Sequence, residues 1–451
     1  MPVRSAPKVR ESSRETEPGF CATGGTGLQA CLFLFALLPR VAYLLLFEPR
    51  FETTYWALAG SILRSRSLAL DGVRVTDFEP LYPIFLAICR AITGDRALIV
   101  QLLQIAVSSL GAVYLYRLAL TLSRDARVAV TGGLLFAFHP LLVRQAGAAS
   151  DLALVTTLLV VFAYECVSID GVAGAVIAGV WLGLAVLTRA MVLPLLGCGL
   201  LVLLADGRRE YAAAFACSAF LLFAPVALRN HAVNGSWWPT RSGLNLFIGN
   251  SPYTAALVPD YDADLLVVPA YALVSRERPD LLPSAPGTAE AVDAFLTRRA
   301  FRYMADHPLA TLGRKALNVL YFLSPRLVPF KISGADTRAV IGPAGEVVVE
   351  NSVSRPRVEV MAHAVASSLV LPAAVVGVYI RRRNLRQDAI LLAIVATFIV
   401  VNAVYVPATR YAAPMTFVLL FYAAVALARV HHAAETLRRD PTLDNMEMTG
   451  R

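Results

Sequence analysis

Apolar residues run along most of this chain in blocks near 20 residues long, each closed by a short polar or basic stretch. A bilayer core takes about 20 apolar residues to cross as a helix. Blocks of that kind fall at about 28–47, 97–120, 127–143, 151–169, 172–188, 190–205, 211–228, 359–380, 388–405 and 411–430. They predict ten spanning helices. Residues 81–93, "LYPIFLAICRAIT", are too short to cross comfortably and read as an interfacial or re-entrant helix. Residues 299–323 read either as an amphipathic surface helix or as a further span, so the fold class is an all-α polytopic membrane bundle of about 10–12 helices.

Lysine and arginine collect in cytoplasmic loops. The shortest connections, 123–127 "SRDAR", 168–171 "SIDG", 206–210 "DGRRE" and 381–386 "RRRNLR", are mostly basic, as is the end of the chain. This places both termini inside and leaves two long segments, 48–96 and 229–358, on the outer face. The division predicted is a disordered N-terminus 1–27, a transmembrane module 28–228 carrying outer loop 48–96, an extracytoplasmic region 229–358, C-terminal spans 359–430 and a cytoplasmic tail 431–451. A cleaved leader fits poorly, because the first apolar block is of spanning length and lacks a small-residue cleavage site. No internal repeat stands out.

Composition agrees with a membrane protein: of 451 residues, 57% are hydrophobic and only 16% charged. The net charge of +9 comes from arginines that punctuate apolar runs and do not line one polar face, which argues for membrane anchoring and against nucleic acid. The six cysteines fall mostly inside apolar blocks, with no C-x-x-C pair and no metal-ligand spacing.

Under this topology several polar residues reach the outer ends of helices. Glu52 and Glu79 lie in the first outer loop, Asp151 opens one helix, Arg189 and Arg229 close two others, and Arg410 opens the last. Singly, each has a simpler reading. Asp151 behind Ser150 resembles a helix N-cap or first-turn acid, Arg189 and Arg229 resemble snorkelling anchors, and Glu52 resembles a solvated loop acid. His139 before Pro140 reads as a loop residue, and Trp237 and Trp238 suit an interfacial belt. Their joint arrival at one membrane face is what points to a site.

The ordered series "ETTYWALA", "EPLYPIFLA", "FAFHP…SDLAL", "LAVLTRAMVLPL", "LRN…GLNLFIGN", "ADHPLATLGRKALNVLYF" and "TRYAAP", with Arg40 in the first span, resembles the GT-C glycosyltransferases of family 39. These are the protein mannosyltransferase and aminoarabinose transferase type. The resemblance implies a GT-C helical bundle and transfer of a sugar, with inversion, from a polyprenyl-phosphate donor to a glycan, lipid or protein acceptor. The implied place is the extracytoplasmic face of a prokaryotic inner membrane. It implies Glu52 as the first-loop base and Asp151 as a second carboxylate. Arg229, Arg410, Arg189 and Arg241 are the candidate cations for the donor phosphate. Tyr55, Glu79 and Asn250 are candidate site-shaping residues, Asn245 and Gly249 would form a turn in "GLNLFIGN", and Glu79 is a candidate ligand for a divalent cation. The family often carries aspartate where this chain has Phe51, one position before Glu52. "EPLYP" also lacks the lysine of aminoarabinose-type members. Two other classes remain open: a transporter or lipid flippase, which the absence of a repeat and the helix-end placement of charges disfavour, and a non-catalytic binder of lipid-linked sugar.

Overall fold

The computed structural model describes residues 24–47, 53–148, 150–281, 288–341 and 347–438. Residues 1–23 and 439–451 lie outside the described residues, and with them most of the expected N-terminal and C-terminal tails; so do Phe51 and Glu52.

All ten apolar blocks are helical. They correspond to Gly24–Phe47, Ala97–Ser123, the pair Ala126–Phe138 and Pro140–Gly147, Asp151–Val167, Val172–Thr188, Pro194–Ala205, Arg209–Asn234, Arg357–Ile380, Ala389–Val404 and Ala413–Arg438. Gly25–Phe47, Ala97–Ser123, Arg209–Asn234, Arg357–Ile380 and Thr409–His432 are long and apolar enough to cross a membrane alone, and the pair bent by 51° at His139 makes a sixth. Asp151–Val167 is shorter, but residues 151–163 are all buried. Other helices, and not lipid, surround its outer half, which explains why it is apolar on every side.

The bend at His139 has a covalent cause. Pro140 has no N–H to give Phe136, so the helix Ala126–Phe138 ends with free carbonyls. Arg40, fully enclosed in the first helix, answers them. Its Nη1 donates to Ala36 O (2.7 Å) and Ala137 O (2.9 Å), and Nη2 to Phe136 O (3.3 Å). A buried guanidinium is tolerable here because it meets the negative end of a helix dipole. Elsewhere two helices touch through small residues. A Cβ on Gly179 would sit 2.3 Å from Phe215 O, and one on Gly183 would sit 2.8 Å from Leu222. Gly179→Leu is therefore expected to push Val172–Thr188 off Arg209–Asn234 at a cost of about 1–3 kcal/mol or more. Thermal unfolding of the detergent-solubilised variant measures it.

The basic connections meet at one end of the bundle. Arg381 Nη1 donates to Leu122 O (3.2 Å), and Arg386 pairs with Asp206 (2.6 Å). Arg381 also grips Asp388 through two bonds of 2.7 and 2.6 Å, and Tyr422 adds its hydroxyl at 3.2 Å.

The outer loops are more structured than their sequence suggests. Residues 53–93 form the helix Thr53–Ser65, a two-residue hairpin Ala69–Leu70/Val73–Arg74 and the helix Leu81–Thr93. That last helix buries Tyr82, Leu86 and Cys89 and exposes Ile84, Ile88 and Ile92, an interfacial pattern. Residues 299–323 are two helices, Thr288–Asp306 and Pro308–Phe322, parted at His307–Pro308. The second turns Leu309, Leu312, Leu317 and Leu320 outward and Asn318 inward. An antiparallel hairpin, Lys331–Ile341 with Val347–Ser354, joins the helices, so the chain is mainly helical but not wholly so. Its strands are rich in β-branched residues, as in "VVVENSVS". Leu244, Phe247, Ile248, Leu257, Leu266, Val274 and Leu296 give this outer region its own small core.

Candidate active site

Asp151–Val167 and Val172–Thr188 are consecutive helices joined by a tight turn, so the start of the first lies beside the end of the second. That geometry brings Asp151 to Arg189. Arg189 Nη1 donates to both carboxylate oxygens, at 3.1 and 3.0 Å. Ser150 occupies the N-cap position yet makes no capping bond, and its buried hydroxyl has no partner. The N-cap half of that reading therefore fails, while Asp151 does stand in the first turn of its helix. Asp151 is committed across the interface.

Glu79 enters from the first outer loop. Its Oε1 accepts the N–H of Ala190 (2.9 Å), the residue after Arg189. Burial pushes the Glu79 carboxyl above its usual range and the neighbouring Asp151 adds to this, while the Ala190 N–H and Arg189 pull the other way. Glu79 is nonetheless part-exposed, and Arg189 keeps 20% of its side chain accessible. Glu79 and Arg189 are thus crowded by protein yet still touched by solvent. Tyr55 packs edge-on against Phe78 (5.7 Å) and Tyr82 (5.0 Å), which flank Glu79 in the chain.

Tyr411 lies between two arginines, its ring centroid 4.8 Å from Arg189 Cζ and 5.0 Å from Arg410 Cζ. Arg410 donates to Tyr411 Oη (3.0 Å), to Asp262 (2.9 Å) and to Asp264 (2.7 Å). Asp262 and Asp264 are members of this site that sequence reasoning missed. The D-x-D spacing in "DYDADLL" was the available signal, but solvated loop acids look the same.

Arg229 belongs to a neighbouring group. The helix does not end at residue 228: it continues to Asn234, where Gly235 caps it with φ 77°. Arg229 thus sits more than a turn inside. Its Nη2 donates to Val75 O (2.7 Å) and Leu68 O (3.3 Å), and Nη1 to Asn230 Oδ1 (3.0 Å). It clips the small hairpin onto the helix. Arg241 lies 5.2 Å from the Phe78 ring. It also faces Asp77, whose carboxyl is raised by burial and partly restored by Arg241 and Arg229. Thr76 is held by Asn234 and by Thr240, which fixes the segment leading into Glu79.

The segment "GLNLFIGN" forms a helix, Ser242–Gly249, and not a tight turn. Asp293 Oδ1 caps it by accepting the Gly243 and Leu244 N–H groups, at 2.7 and 3.2 Å. Asn245 is interior to the helix and shapes no turn. Gly249 is required by a close approach, since a Cβ there would lie 2.2 Å from Tyr405 O. Asn250 Nδ2 donates to Leu246 O (2.9 Å) and Val404 O (3.0 Å), and Lys315 donates to Asn250 Oδ1 and Val404 O. Burial lowers Lys315 to about 8, with Arg314 contributing. Gly249, Asn250 and Lys315 therefore form a joint that ties the outer region to the end of Ala389–Val404, six residues before Arg410. Among the described residues, no group of three His, Cys, Asp or Glu side chains could hold a metal ion.

Residues 77–229 match the family described as dolichyl-phosphate-mannose-protein mannosyltransferase. The span contains Glu79, Asp151, Arg189 and Arg229, and there the family resemblance of the ordered motifs is borne out. No curated protein sequence matches the chain. Among solved structures, the Archaeoglobus fulgidus oligosaccharyltransferase tethered to an acceptor peptide is 15% identical with a TM-score of 0.48, over 92% of this chain and 51% of that one. ArnT from Cupriavidus metallidurans, bound to undecaprenyl phosphate, is 14% identical with a TM-score of 0.38, over 91% of this chain and 79% of that one. The chain thus spans about half the length of the archaeal protein.

Proposed function

We propose, from the premise that residues 77–229 belong to the dolichyl-phosphate-mannose-protein mannosyltransferase family, that this multi-pass membrane protein is an inverting glycosyltransferase using a polyprenyl-phosphate sugar. The observation that carries the reading is the meeting of Glu79, Asp151, Arg189, Tyr411 and Arg410 in one contiguous group of side chains.

In such a reaction the acceptor hydroxyl attacks the anomeric carbon, the bond from that carbon to the phosphate oxygen breaks, and the electron pair leaves on the lipid phosphate. The acceptor's proton passes to a carboxylate. Glu52 is the first-loop candidate for that base. Glu79 and Asp151 are the further candidate carboxylates, suited also to the oxocarbenium-like transition state. Arg189 and Arg410 are held by Asp151 and by Asp262 and Asp264, so they are preorganised toward the charge that develops on the leaving phosphate. Asn250, Gly249 and Tyr55 position these groups, and Glu79 is the candidate contact for a divalent cation.

This group sits at the start of the helix Asp151–Val167, the opposite end from its short connection at 168–171, and so away from the basic connections around Arg381, Arg386 and Asp206. By the positive-inside rule that end faces the exterior, which supports a plasma-membrane enzyme acting on an extracytoplasmic glycan, lipid or protein. Purified protein incubated with labelled polyprenyl-phosphate sugars and envelope extract is expected to release free polyprenyl phosphate together with a glycosylated product. Lipid translocation in proteoliposomes without release of sugar would instead establish a flippase.

A further inference from the structure

The four arginines that the sequence offers for phosphate binding all have partners. Arg189 holds Asp151, Arg410 holds Asp262 and Asp264, Arg229 spends its donors on carbonyls, and Arg241 faces Phe78 and Asp77. Arg355, between the outer hairpin and the helix Arg357–Ile380, differs. Its Nε donates to Pro329 O (2.6 Å), but its Nη1 is enclosed without a hydrogen-bond partner, and it has no ion pair among the described residues. An enclosed guanidinium N–H without an acceptor is costly, and an anion relieves that cost.

The surroundings carry charges of both signs, and the cations around Arg355 are already paired with carboxylates. Arg355 is lowered to about 10 by burial and further by Arg144, with Arg410 adding and Glu359 and Asp262 opposing. Glu359 is shared: Tyr43 donates to its Oε1 at 2.6 Å, and Arg144 Nε approaches Oε2 only to 3.3 Å. Oε2 has no hydrogen bond.

We propose that Arg355 and Arg144, beside Tyr43 and Glu359, bind a phosphate group at the rim of the helical bundle, on the Asp262–Arg410 side of the candidate active site. The planar guanidinium of Arg355 presents donors matched to phosphate oxygens. The setting fits the phosphate of a lipid. Leu45, Leu46 and Phe47, just after Tyr43, are exposed apolar side chains, as are Val358 and Met361 on either side of Glu359. A chain attached to the phosphate would lie along them. Assigning that lipid as the sugar carrier rests on the transferase reading; the phosphate site itself does not.

The test uses the intact wild-type protein in detergent, with phenylglyoxal labelling of Arg355 followed by peptide mass spectrometry. Polyprenyl phosphate, phosphatidylglycerol and inorganic phosphate are compared as protectants. Protection is expected from polyprenyl phosphate at concentrations roughly tenfold below the other two. Equal protection by all three supports a general phosphate site and removes the carrier assignment. No protection by any of them overturns the site, and this result needs no variant. Arg355→Gln is expected to raise the half-saturating concentration of polyprenyl phosphate roughly tenfold, Arg355→Lys less, and Arg386→Gln at the cytoplasmic end not at all. Unchanged binding by a folded Arg355→Gln also overturns it. Protection of Arg355 in a wild-type protein that transfers no sugar would sink the transferase and leave this site standing.

Discussion

Asp151→Asn is expected to lower sugar transfer per folded molecule by about two to four orders of magnitude while leaving the protein folded. Asparagine keeps the size of the side chain and removes the charge that orients Arg189. Arg189 is part-exposed and stacked on Tyr411, so its charge is not stranded when Asp151 is neutralised. The loss should therefore fall on turnover. Glu79 adds a pH signature. A carboxyl raised by burial keeps its proton to higher pH than usual, so a mechanism that needs it ionised gains activity as pH rises, along a limb displaced above the usual glutamate range. Stability runs the other way: in that window the folded state holds a proton that the unfolded chain has lost, so stability falls as pH rises. Loss of the displaced limb in Glu79→Gln checks the assignment.

The second large effect is expected at the other end of the bundle, where the same residue types serve a structural purpose. Asp388 is fully enclosed, and both its oxygens are taken by Arg381, with Tyr422 adding a third bond. The remaining Arg381 nitrogen, Nη1, reaches Leu122 O. The pair is enclosed and every nitrogen of the guanidinium is engaged by protein, so a substrate has no access to it. Asp388→Asn leaves a buried guanidinium without its counter-charge, which costs about 3–5 kcal/mol. Chemical denaturation of the variant in mixed micelles measures it, and the fraction that remains folded should still turn over.

The two pairs also show what hydropathy can and cannot convey. The ten blocks were legible as helices because a bilayer imposes long apolar runs, although among the described residues only five, or six with the bent pair, reach spanning length. Asp151 and Arg189 were legible as neighbours in kind, because a short turn between two helices forces the ends into register. Asp262 and Arg410 were not, being 148 residues apart and joined only by how the outer region settles on the bundle. The helical "GLNLFIGN" segment escaped for a similar reason: its cap comes from Asp293, on a distant helix. Glycine and asparagine signals that suggest a turn locally were overridden by that tertiary carboxylate. The extension of Arg209–Asn234 past residue 228 was hidden because Arg229 and Asn230 look like an exit from lipid, yet the loop before Glu79 covers them. The hairpin 331–354 was passed over because the long outer segment offered no lipid-length pattern to read.

The most direct test sets Asp151→Asn beside Asp388→Asn and measures, in one detergent, both the unfolding midpoint and the release of polyprenyl phosphate per folded molecule. A working site at the outer end predicts opposite outcomes: Asp151→Asn close to wild type in midpoint but at least a hundredfold slower, Asp388→Asn strongly lowered in midpoint but near normal in rate. Wild-type turnover by folded Asp151→Asn would contradict it.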